Sequence, residues 1–228
     1  MKIEKHPSPN FGERANGGHI DKIILHYTGM KSTKQSLARM CDPNSAVSAH
    51  YLIGEDGEIY QIVKETNRAW HAGISYWAGQ TDINSHSIGI EMQNPGHELG
   101  YKKFTEEQMD GLVSLTKDIF KRRTIPNRSV LGHSDIAPAR KKDPGKLFNW
   151  QWLSEQGVGF WPKANKLIST KFSKTFELRE QLSLIGYDPS VSVRLVLVAF
   201  QRHFRPKKID GLLDSETASL IDSCTKTA

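Results

Sequence analysis

Cysteine is scarce in this 228-residue chain, which has only Cys41 and Cys224. Two thiols so far apart form neither a disulfide framework nor the CxxC pairs of a structural zinc knuckle. Long apolar runs are missing too, since none approaches the roughly 18 residues that a membrane-spanning helix needs. The sequence therefore excludes a disulfide-stapled scaffold, and we expect no membrane span.

Two further signals are absent, one for export and one for nucleic-acid binding. Residues 1–7 lack the apolar core of a signal peptide, which is compatible with the cytoplasm, with a signal already removed, or with another export route. No dense Lys/Arg block is interleaved with aromatic residues, and the net charge is only +6. A bias of this size fits an ordinary basic surface, so no nucleic-acid partner is expected.

What the chain does contain is a series of short apolar segments that predict strands. They lie at residues 22–27, 51–53, 58–63, 87–92 and 129–131. The second and third flank Glu55-Asp56-Gly57, which predicts a hairpin turn with glycine at positive φ. Short helical segments are predicted at 34–40 and 149–155.

The clearest predicted helix begins at Thr105. Thr105 and Gln108 match a capping box, and Phe104 with Met109 matches a hydrophobic staple. Apolar positions then recur at helical spacing on one face. They are Met109, Leu112, Val113, Thr116, Ile119 and Phe120. We predict that this helix packs against the core.

The pattern changes after the first 160 residues. Gly157, Gly159 and Pro162 interrupt the periodicity and indicate a boundary. Beyond it, residues 178–185, 193–200 and 215–221 fit three short helices. We therefore divide the chain into residues 1–160 and a small helical bundle at 173–225, near the lower size limit for an independent core.

Two histidines and an aspartate stand out as metal ligands. His26 and His133 each follow an apolar strand, and Asp143 comes ten residues after His133 in what reads as an irregular loop, just before Pro144-Gly145. Two imidazoles and one carboxylate are a natural three-ligand set for a zinc ion whose fourth position stays open to water. The sequence therefore predicts a zinc hydrolase.

Hydrolysis of an amide also requires a base and a group that stabilises the developing oxyanion. Glu91 ends the apolar strand at 87–91, where a carboxylate is costly unless it is paired or functional. The alternative is a strand-end glutamate facing solvent. Lys141, two residues before Asp143, would place a positive charge near the oxyanion, or would simply be a solvated loop lysine.

Five segments taken together resemble a known family. They are residues 24–28, 48–53, 69–73, 87–91 and 132–145, and they span about residues 20–150. In this order they resemble the zinc-dependent N-acetylmuramoyl-L-alanine amidases of type 2, which are related to T7-type lysozyme amidases and to peptidoglycan recognition proteins. The resemblance implies an α/β fold in which a mixed β-sheet is flanked by helices, with Zn²⁺ in a groove.

The resemblance also implies roles for individual residues. It implies His26, His133 and Asp143 as zinc ligands, Glu91 as the base and Lys141 as the oxyanion-stabilising group. Substrate contacts are implied for four residues, which are Tyr27, Trp70, His71 and Asn84. The implied reaction is hydrolysis of the amide between N-acetylmuramic acid, in the ordinary or the 1,6-anhydro form, and the L-alanine of the peptidoglycan stem peptide.

The C-terminal bundle more loosely resembles a three-helix peptidoglycan-binding domain, on residues 182–187, 198–201 and 209–212. The alternative is a plain helical extension. A wall-binding bundle favours the periplasm or cell envelope, whereas the missing signal favours the cytoplasm, where relatives recycle anhydromuropeptides. We expect a monomer. The alternative functions are a muropeptide recognition protein that does not cleave and a zinc peptidase acting within the stem peptide.

Overall fold

The computed structural model describes residues 1–162 and 175–226. Eight strands occur in this part of the chain. They are β1 (Ile3–Lys5), β2 (Phe11–Gly12), β3 (Lys22–Tyr27), β4 (Tyr51–Ile53), β5 (Ile59–Gln61), β6 (Arg68–Ala69), β7 (Ser87–Met92) and β8 (Val130–Gly132). The helices are α1 (Thr33–Cys41), α2 (Ile83–His86), α3 (Gly96–Leu99), α4 (Glu106–Arg122), α5 (His133–Ile136), α6 (Trp150–Glu155), α7 (Thr175–Ile185), α8 (Val193–Phe204) and α9 (Ser215–Lys226).

Six strands form the central sheet in the order β1-β5-β4-β7-β3-β8, and β2 pairs with β6 in a separate two-stranded sheet. Strands β4, β7, β3 and β8 run parallel to one another, whereas β5 is antiparallel to β4. The predicted mixed sheet flanked by helices is therefore confirmed. The predicted hairpin is confirmed as well, since β4 and β5 pair antiparallel around the 54–58 turn.

Side chains on β3 alternate between two apolar cores on opposite faces of the sheet. Ile23 and Leu25 belong to the first core and Ile24 to the second, as expected from the two-residue period of a strand. Helix α4 covers the first core. Its buried residues include Met109, Leu112, Leu115 and Ile119, and the predicted capping box of Thr105 and Gln108 is present.

The three predicted C-terminal helices are confirmed as α7, α8 and α9. Their buried side chains share the second core with the sheet, which brings Leu182, Phe200 and Ile221 together with Ile24 and Leu131. Residues 163–174, which include the start of the predicted unit at 173, lie outside the described residues. None of the described helices is long and apolar enough to cross a membrane.

The sequence predicts an irregular loop directly after β8. This prediction is wrong for the first four residues, because residues 133–136 form the helical turn α5. The Asp135 carboxylate accepts a hydrogen bond from the backbone N–H of Gly132 at 2.7 Å. An acidic side chain at this position satisfies an N–H that a helix start leaves unpaired. This local interaction favours a turn of helix where the sequence pattern shows no helical period.

Candidate metal centre and active site

Two strand ends and one loop bring His26, His133 and Asp143 into a buried cluster. His26 lies near the end of β3, and His133 directly follows the parallel neighbour β8. The carboxyl ends of parallel strands meet at one edge of a sheet, so both rings reach the same place. Asp143 arrives from the following loop, which is tied to α5 by a hydrogen bond from the Ser134 N–H to the Asp143 carbonyl oxygen.

Three potential ligand atoms converge in this cluster. His26 Nδ1 lies 2.9 Å from His133 Nδ1, and Asp143 Oδ2 lies 3.1 Å and 3.0 Å from the same two nitrogens. Zinc bonds of about 2.0–2.2 Å at tetrahedral angles would separate ligand atoms by about 3.4 Å. The three side chains are therefore arranged closely enough to share one metal ion.

The remaining contacts of His133 determine which of its nitrogens carries the proton. Its Nε2 lies 3.0 Å from the carbonyl oxygen of Ala72, so Nε2–H is the donor and Nδ1 keeps its lone pair. Arg140 donates to the same carbonyl at 2.7 Å and to the carbonyl of Ile74 at 2.6 Å. Residues 72–74 are thus fixed as a support for the His133 ring.

A longer chain of hydrogen bonds does the same for His26. Ser87 donates its hydroxyl to the carbonyl of Ile83 at 2.6 Å, and its oxygen faces His71 Nε2 at 3.3 Å. His71 Nε2–H is therefore a donor, and its Nδ1 accepts from His26 Nε2–H at 3.1 Å. This leaves the Nδ1 lone pair of His26 directed at His133 and Asp143.

Gly89 makes room for the His71 ring within the sheet. A Cβ atom at this position of β7 would lie 2.4 Å from Cγ of His71, closer than non-bonded atoms approach. Because the ring is buried and hydrogen-bonded through both nitrogens, it could not easily move aside. The glycine in the strand thus marks a close approach of a neighbouring side chain.

The electrostatics of the cluster suit a cation. Burial, reinforced by His133, lowers the pKa of His26 to about 4, so the ring is neutral near pH 7. Burial raises the pKa of Asp143, but the facing rings of His133 and His26 outweigh it and bring the pKa below the usual range. The neutral His26 ring and the ionised Asp143 carboxylate, with His133 Nδ1 beside them, direct their ligand atoms at one another, an arrangement that a positive ion between them would stabilise.

Glu91 stands beside the cluster on the strand next to His26. The two residues are in register on β7 and β3, so their side chains leave the same face of the sheet. Burial, followed by repulsion from Asp143, raises the pKa of Glu91 to about 8. Its Oε2 is buried and has no hydrogen-bond partner in the described part of the chain. Such a carboxyl group can hold or release a proton near neutral pH.

Lys141 contributes a positive charge to the same region. It is partly buried, and its charge lowers the pKa of both Glu91 and His26. Its backbone N–H donates to the carbonyl of Ala137, which ends α5. The loop that carries Asp143 therefore also holds a cation close to the two groups that would perform chemistry.

Tyr27 lies at the rim of the site within an aromatic group. Its hydroxyl is 2.9 Å from His97 Nδ1, and the His97 ring stacks on Tyr101 at 4.4 Å between centroids. Tyr101 donates to the carbonyl of Pro144 at 2.8 Å, next to Asp143. Tyr27 is half-buried and His97 is exposed, so this group is accessible to a ligand.

Three further residues with an implied substrate role differ in their surroundings. Trp70 is partly exposed, and its backbone is bound to Ser48. The Oδ1 atom of the buried Asn84 accepts hydrogen bonds from the backbone N–H groups of His71 and Ala72 at 3.1 and 2.8 Å. His71 is buried behind His26. The contacts of Asn84 and His71 thus support the metal cluster from inside the protein.

Sequence reasoning missed the supporting residues around the ligands. Arg140 and Ser87 hold the two supporting segments, and neither follows a motif that indicates this role by itself. One available signal was Gly89, since a glycine inside a predicted apolar strand indicates a close contact. Another was Ser87, a polar residue two positions earlier in the same predicted apolar strand.

Comparison with known proteins extends these observations. The family model described as N-acetylmuramoyl-L-alanine amidase matches residues 16–146. The N-acetylmuramoyl-L-alanine amidase AmiD from Escherichia coli is 38% identical, over 90% of this chain and 82% of AmiD. The 1,6-anhydro-N-acetylmuramyl-L-alanine amidase AmpD from Haemophilus influenzae is 33% identical, over 63% of this chain and 86% of AmpD.

Solved structures agree over nearly the whole chain. The complex of E. coli AmiD with anhydro-N-acetylmuramic acid-L-Ala-D-gamma-Glu-L-Lys has a TM-score of 0.82 at 35% identity, and the match covers 96% of this chain and 98% of the AmiD chain in that structure. AmpDh3 from Pseudomonas aeruginosa has a TM-score of 0.84 at 31% identity, over 96% of this chain and 94% of that one. The likeness therefore includes the C-terminal helices. On its sequence, its fold and its buried metal-binding cluster, the chain belongs to the N-acetylmuramoyl-L-alanine amidase family.

Proposed function

We propose that this amidase works with a zinc ion held by His26 Nδ1, His133 Nδ1 and Asp143 Oδ2. The observation that carries the proposal is the convergence of these three atoms within 2.9–3.1 Å of one another. Both imidazoles donate their other N–H to the protein, as metal-bound histidines generally do. A set of three protein ligands is typical of a catalytic zinc and leaves a position for water or substrate.

A bound zinc ion supplies Lewis acidity, which polarises a carbonyl group and makes water a stronger acid. The protein's own groups move the protons. Glu91 accepts a proton from the attacking water and delivers it to the departing amine, so that the C–N bond breaks without releasing an amide anion. Its raised pKa, about 8, suits both directions of this transfer. Lys141 stabilises the oxyanion that forms on the carbonyl.

The proposed substrate is a muropeptide, cleaved between the lactyl group of N-acetylmuramic acid and the L-alanine of the stem peptide. This assignment rests on AmiD, whose structure is described as a complex with an anhydromuropeptide substrate, and on AmpD, named as an anhydro-muramyl amidase. Tyr27 and Trp70 are the partly exposed residues that we assign to substrate contact. His71 and Asn84 serve the substrate indirectly, by fixing the site.

For the C-terminal helices we propose a role in binding peptidoglycan, within a chain divided into an amidase unit at 1–160 and a helical unit at 173–225. A protein that binds the polymeric wall would act in the periplasm or cell envelope, and we propose that it is a monomer. The matches to the solved structures of AmiD and AmpDh3 each cover 96% of this chain and so include the C-terminal helices. This coverage supports a common arrangement of these helices in the three proteins.

The decisive experiment is mass spectrometry of purified muropeptides incubated with the zinc-loaded protein. Release of a stem peptide that begins with L-alanine, abolished by a chelator and restored by zinc, is the expected result. Paired anhydro and reducing-end substrates would show which form is preferred. Tight binding of muropeptides without cleavage would contradict the proposal and indicate a recognition protein, and cleavage within the stem peptide would indicate a peptidase.

A further inference from the structure

Asp135 is a buried carboxylate whose partners come from distant parts of the chain. It is 1% exposed. Its Oδ2 accepts hydrogen bonds from the Gly132 N–H at 2.7 Å and from His203 Nδ1–H at 2.8 Å, and its Oδ1 accepts from the Tyr187 hydroxyl at 3.0 Å. A buried carboxylate is tolerated when donors satisfy it in this way.

Two of the three donors belong to the C-terminal helical unit. Tyr187 follows α7 and is 1% exposed, and His203 lies in α8 and is 3% exposed. The His203 ring is held in place by stacking on Trp150, with 3.8 Å between ring centroids. The His203 ring is therefore held beside the carboxylate, and because both donors are buried, water has little access to replace them.

The third contact connects Asp135 to the metal cluster. Gly132 and Asp135 close the turn α5, whose first residue is the ligand His133. The next residue, Ser134, donates its backbone N–H to the carbonyl of the second ligand, Asp143, at 2.9 Å. A rotation of this turn would displace two of the three ligands together.

We propose that Tyr187 and His203 are positioning residues for the metal centre, which they stabilise through the Asp135 carboxylate and the α5 turn. The C-terminal helices are then part of the amidase unit as well as a candidate wall-binding module. The inference rests on the proposed function to the extent that the cluster must bind zinc. Loss of either donor leaves a buried carboxylate oxygen less satisfied, which favours rearrangement of the turn.

A role in simple domain attachment would give a different pattern. The C-terminal helices also contact the first unit at Arg128, which donates to the carbonyl of Cys224 at 2.6 Å. This contact does not involve Asp135. Arg128→Met is therefore a matched control, because it removes an interaction between the same two units without changing the donors to the α5 turn.

The test measures zinc affinity by competition with a chelator, and the absorption spectrum of the cobalt-substituted full-length protein. We expect Tyr187→Phe and His203→Leu each to weaken zinc binding by about tenfold, the lower end of the effect of removing a ligand's own hydrogen-bond partner, because they act on the ligands through Asp135. Both variants should also change the cobalt spectrum. His203→Asn, which retains an N–H donor, should restore most of the affinity. Arg128→Met should lower thermal stability and leave both metal readouts unchanged.

Wild-type affinity and spectra in both Tyr187→Phe and His203→Leu would overturn the inference. So would an equal loss of affinity in Arg128→Met, because the effect would then follow from attachment alone. Failure of the wild-type protein to bind zinc would instead contradict the proposed function, so the two failures are distinguishable. Tyr187→Phe removes a single oxygen atom and keeps the test informative if the His203 variants fold poorly.

Discussion

The two faces of the central sheet differ in how they are held together. On the first face Ile23, Leu25 and Ile90 pack against Leu112 and Leu115 of α4, all with no exposed surface. On the second face the same strands present polar groups at alternating positions. These are His26, Ser87 and Glu91, together with the side-chain-free Gly89.

This difference shows how one pair of strands serves both stability and chemistry. The first face gains free energy from burial of apolar area, which depends weakly on direction. Part of the second face is also covered by an apolar core, but around the metal cluster it depends on hydrogen bonds of fixed direction, such as that from His26 Nε2–H to His71 Nδ1. Substitutions on the first face should therefore affect the stability of the whole fold, and those around the cluster on the second face should affect metal binding and catalysis.

The largest effect is expected from Glu91→Gln. This change keeps the size of the side chain and removes its ability to accept the proton of water, so kcat should fall by roughly 10²–10⁴-fold. Zinc content, measured by elemental analysis, should stay at the wild-type level because Glu91 is not a ligand. Substantial remaining turnover would contradict the assignment of the base.

On the first face, Leu112→Ala tests the apolar packing. Leu112 is fully buried in α4, and its truncation should lower the free energy of unfolding by about 2–5 kcal/mol. Chemical denaturation provides the measurement. Val113→Ala, at a partly buried neighbouring position, is the control and should cost clearly less. If the two variants lost a similar free energy of unfolding, the central position of Leu112 in the apolar core would be contradicted.

Glu65 is a paired carboxylate near the first face, and it can be compared with the carboxylate of the metal cluster on the second face. It accepts hydrogen bonds from Arg122 at 2.6 Å and from the Tyr51 hydroxyl at 2.8 Å. Burial raises the pKa of Glu65, but the hydrogen bonds from Arg122 and Tyr51 and the charges of Arg122 and Arg123 together outweigh it and lower the pKa. The ionised form therefore stabilises the fold above the pKa of an unfolded glutamate, about 4.3.

Glu65→Gln should accordingly lower the free energy of unfolding by about 1.5–3 kcal/mol at pH 7. The difference from the wild type should shrink as the pH falls through the lowered pKa of the folded protein, because the wild-type carboxylate then takes up a proton. Denaturation curves at pH 7 and in acid provide the measurement. A difference that grows in acid would show that pairing does not stabilise the ionised form.

A smaller effect is expected from His71→Phe on the second face. The substitution keeps a ring behind His26 and removes the acceptor that orients it, so zinc affinity should fall by about 10–100-fold. Chelator competition measures this loss. His6→Phe changes an exposed histidine outside the network and should bind zinc as the wild type does. Unchanged affinity in His71→Phe would remove His71 from the support of the site.

Much of the first face could be predicted from the sequence, because its information is local. The apolar segment at 22–27 and the capping box at Thr105 and Gln108 predicted β3 and α4 with nearly correct bounds. The strands β1, β2 and β6 were missed, since they are short and contain no run of apolar residues. Helix α5 was missed because its start depends on one capping carboxylate, Asp135.

On the second face the metal ligands and the base Glu91 were predicted, but the residues that support them were not. His26, His133 and Asp143 follow from strand ends, spacing and family resemblance, and the structure brings these three together. The partners of these residues lie far away in the sequence, as His71 does from His26 and Tyr187 from Asp135. These hydrogen bonds join residues that are 45 and 52 positions apart, and such contacts produce no periodic pattern in the sequence. The inward orientation of His71 and Asn84 could therefore be seen only in the three-dimensional structure.

The in-register pairing of His26 and Glu91 has a consequence for how such an enzyme can be modified. Neighbouring strands are about 4.8 Å apart because their backbones are hydrogen-bonded, so the separation of the ligand and the base is built into the sheet. Loops around the groove can then be lengthened or exchanged to suit other glycans or peptides without changing the distance between the ligand and the base. A designer seeking new substrates should therefore alter the rim and leave β3 and β7 unchanged.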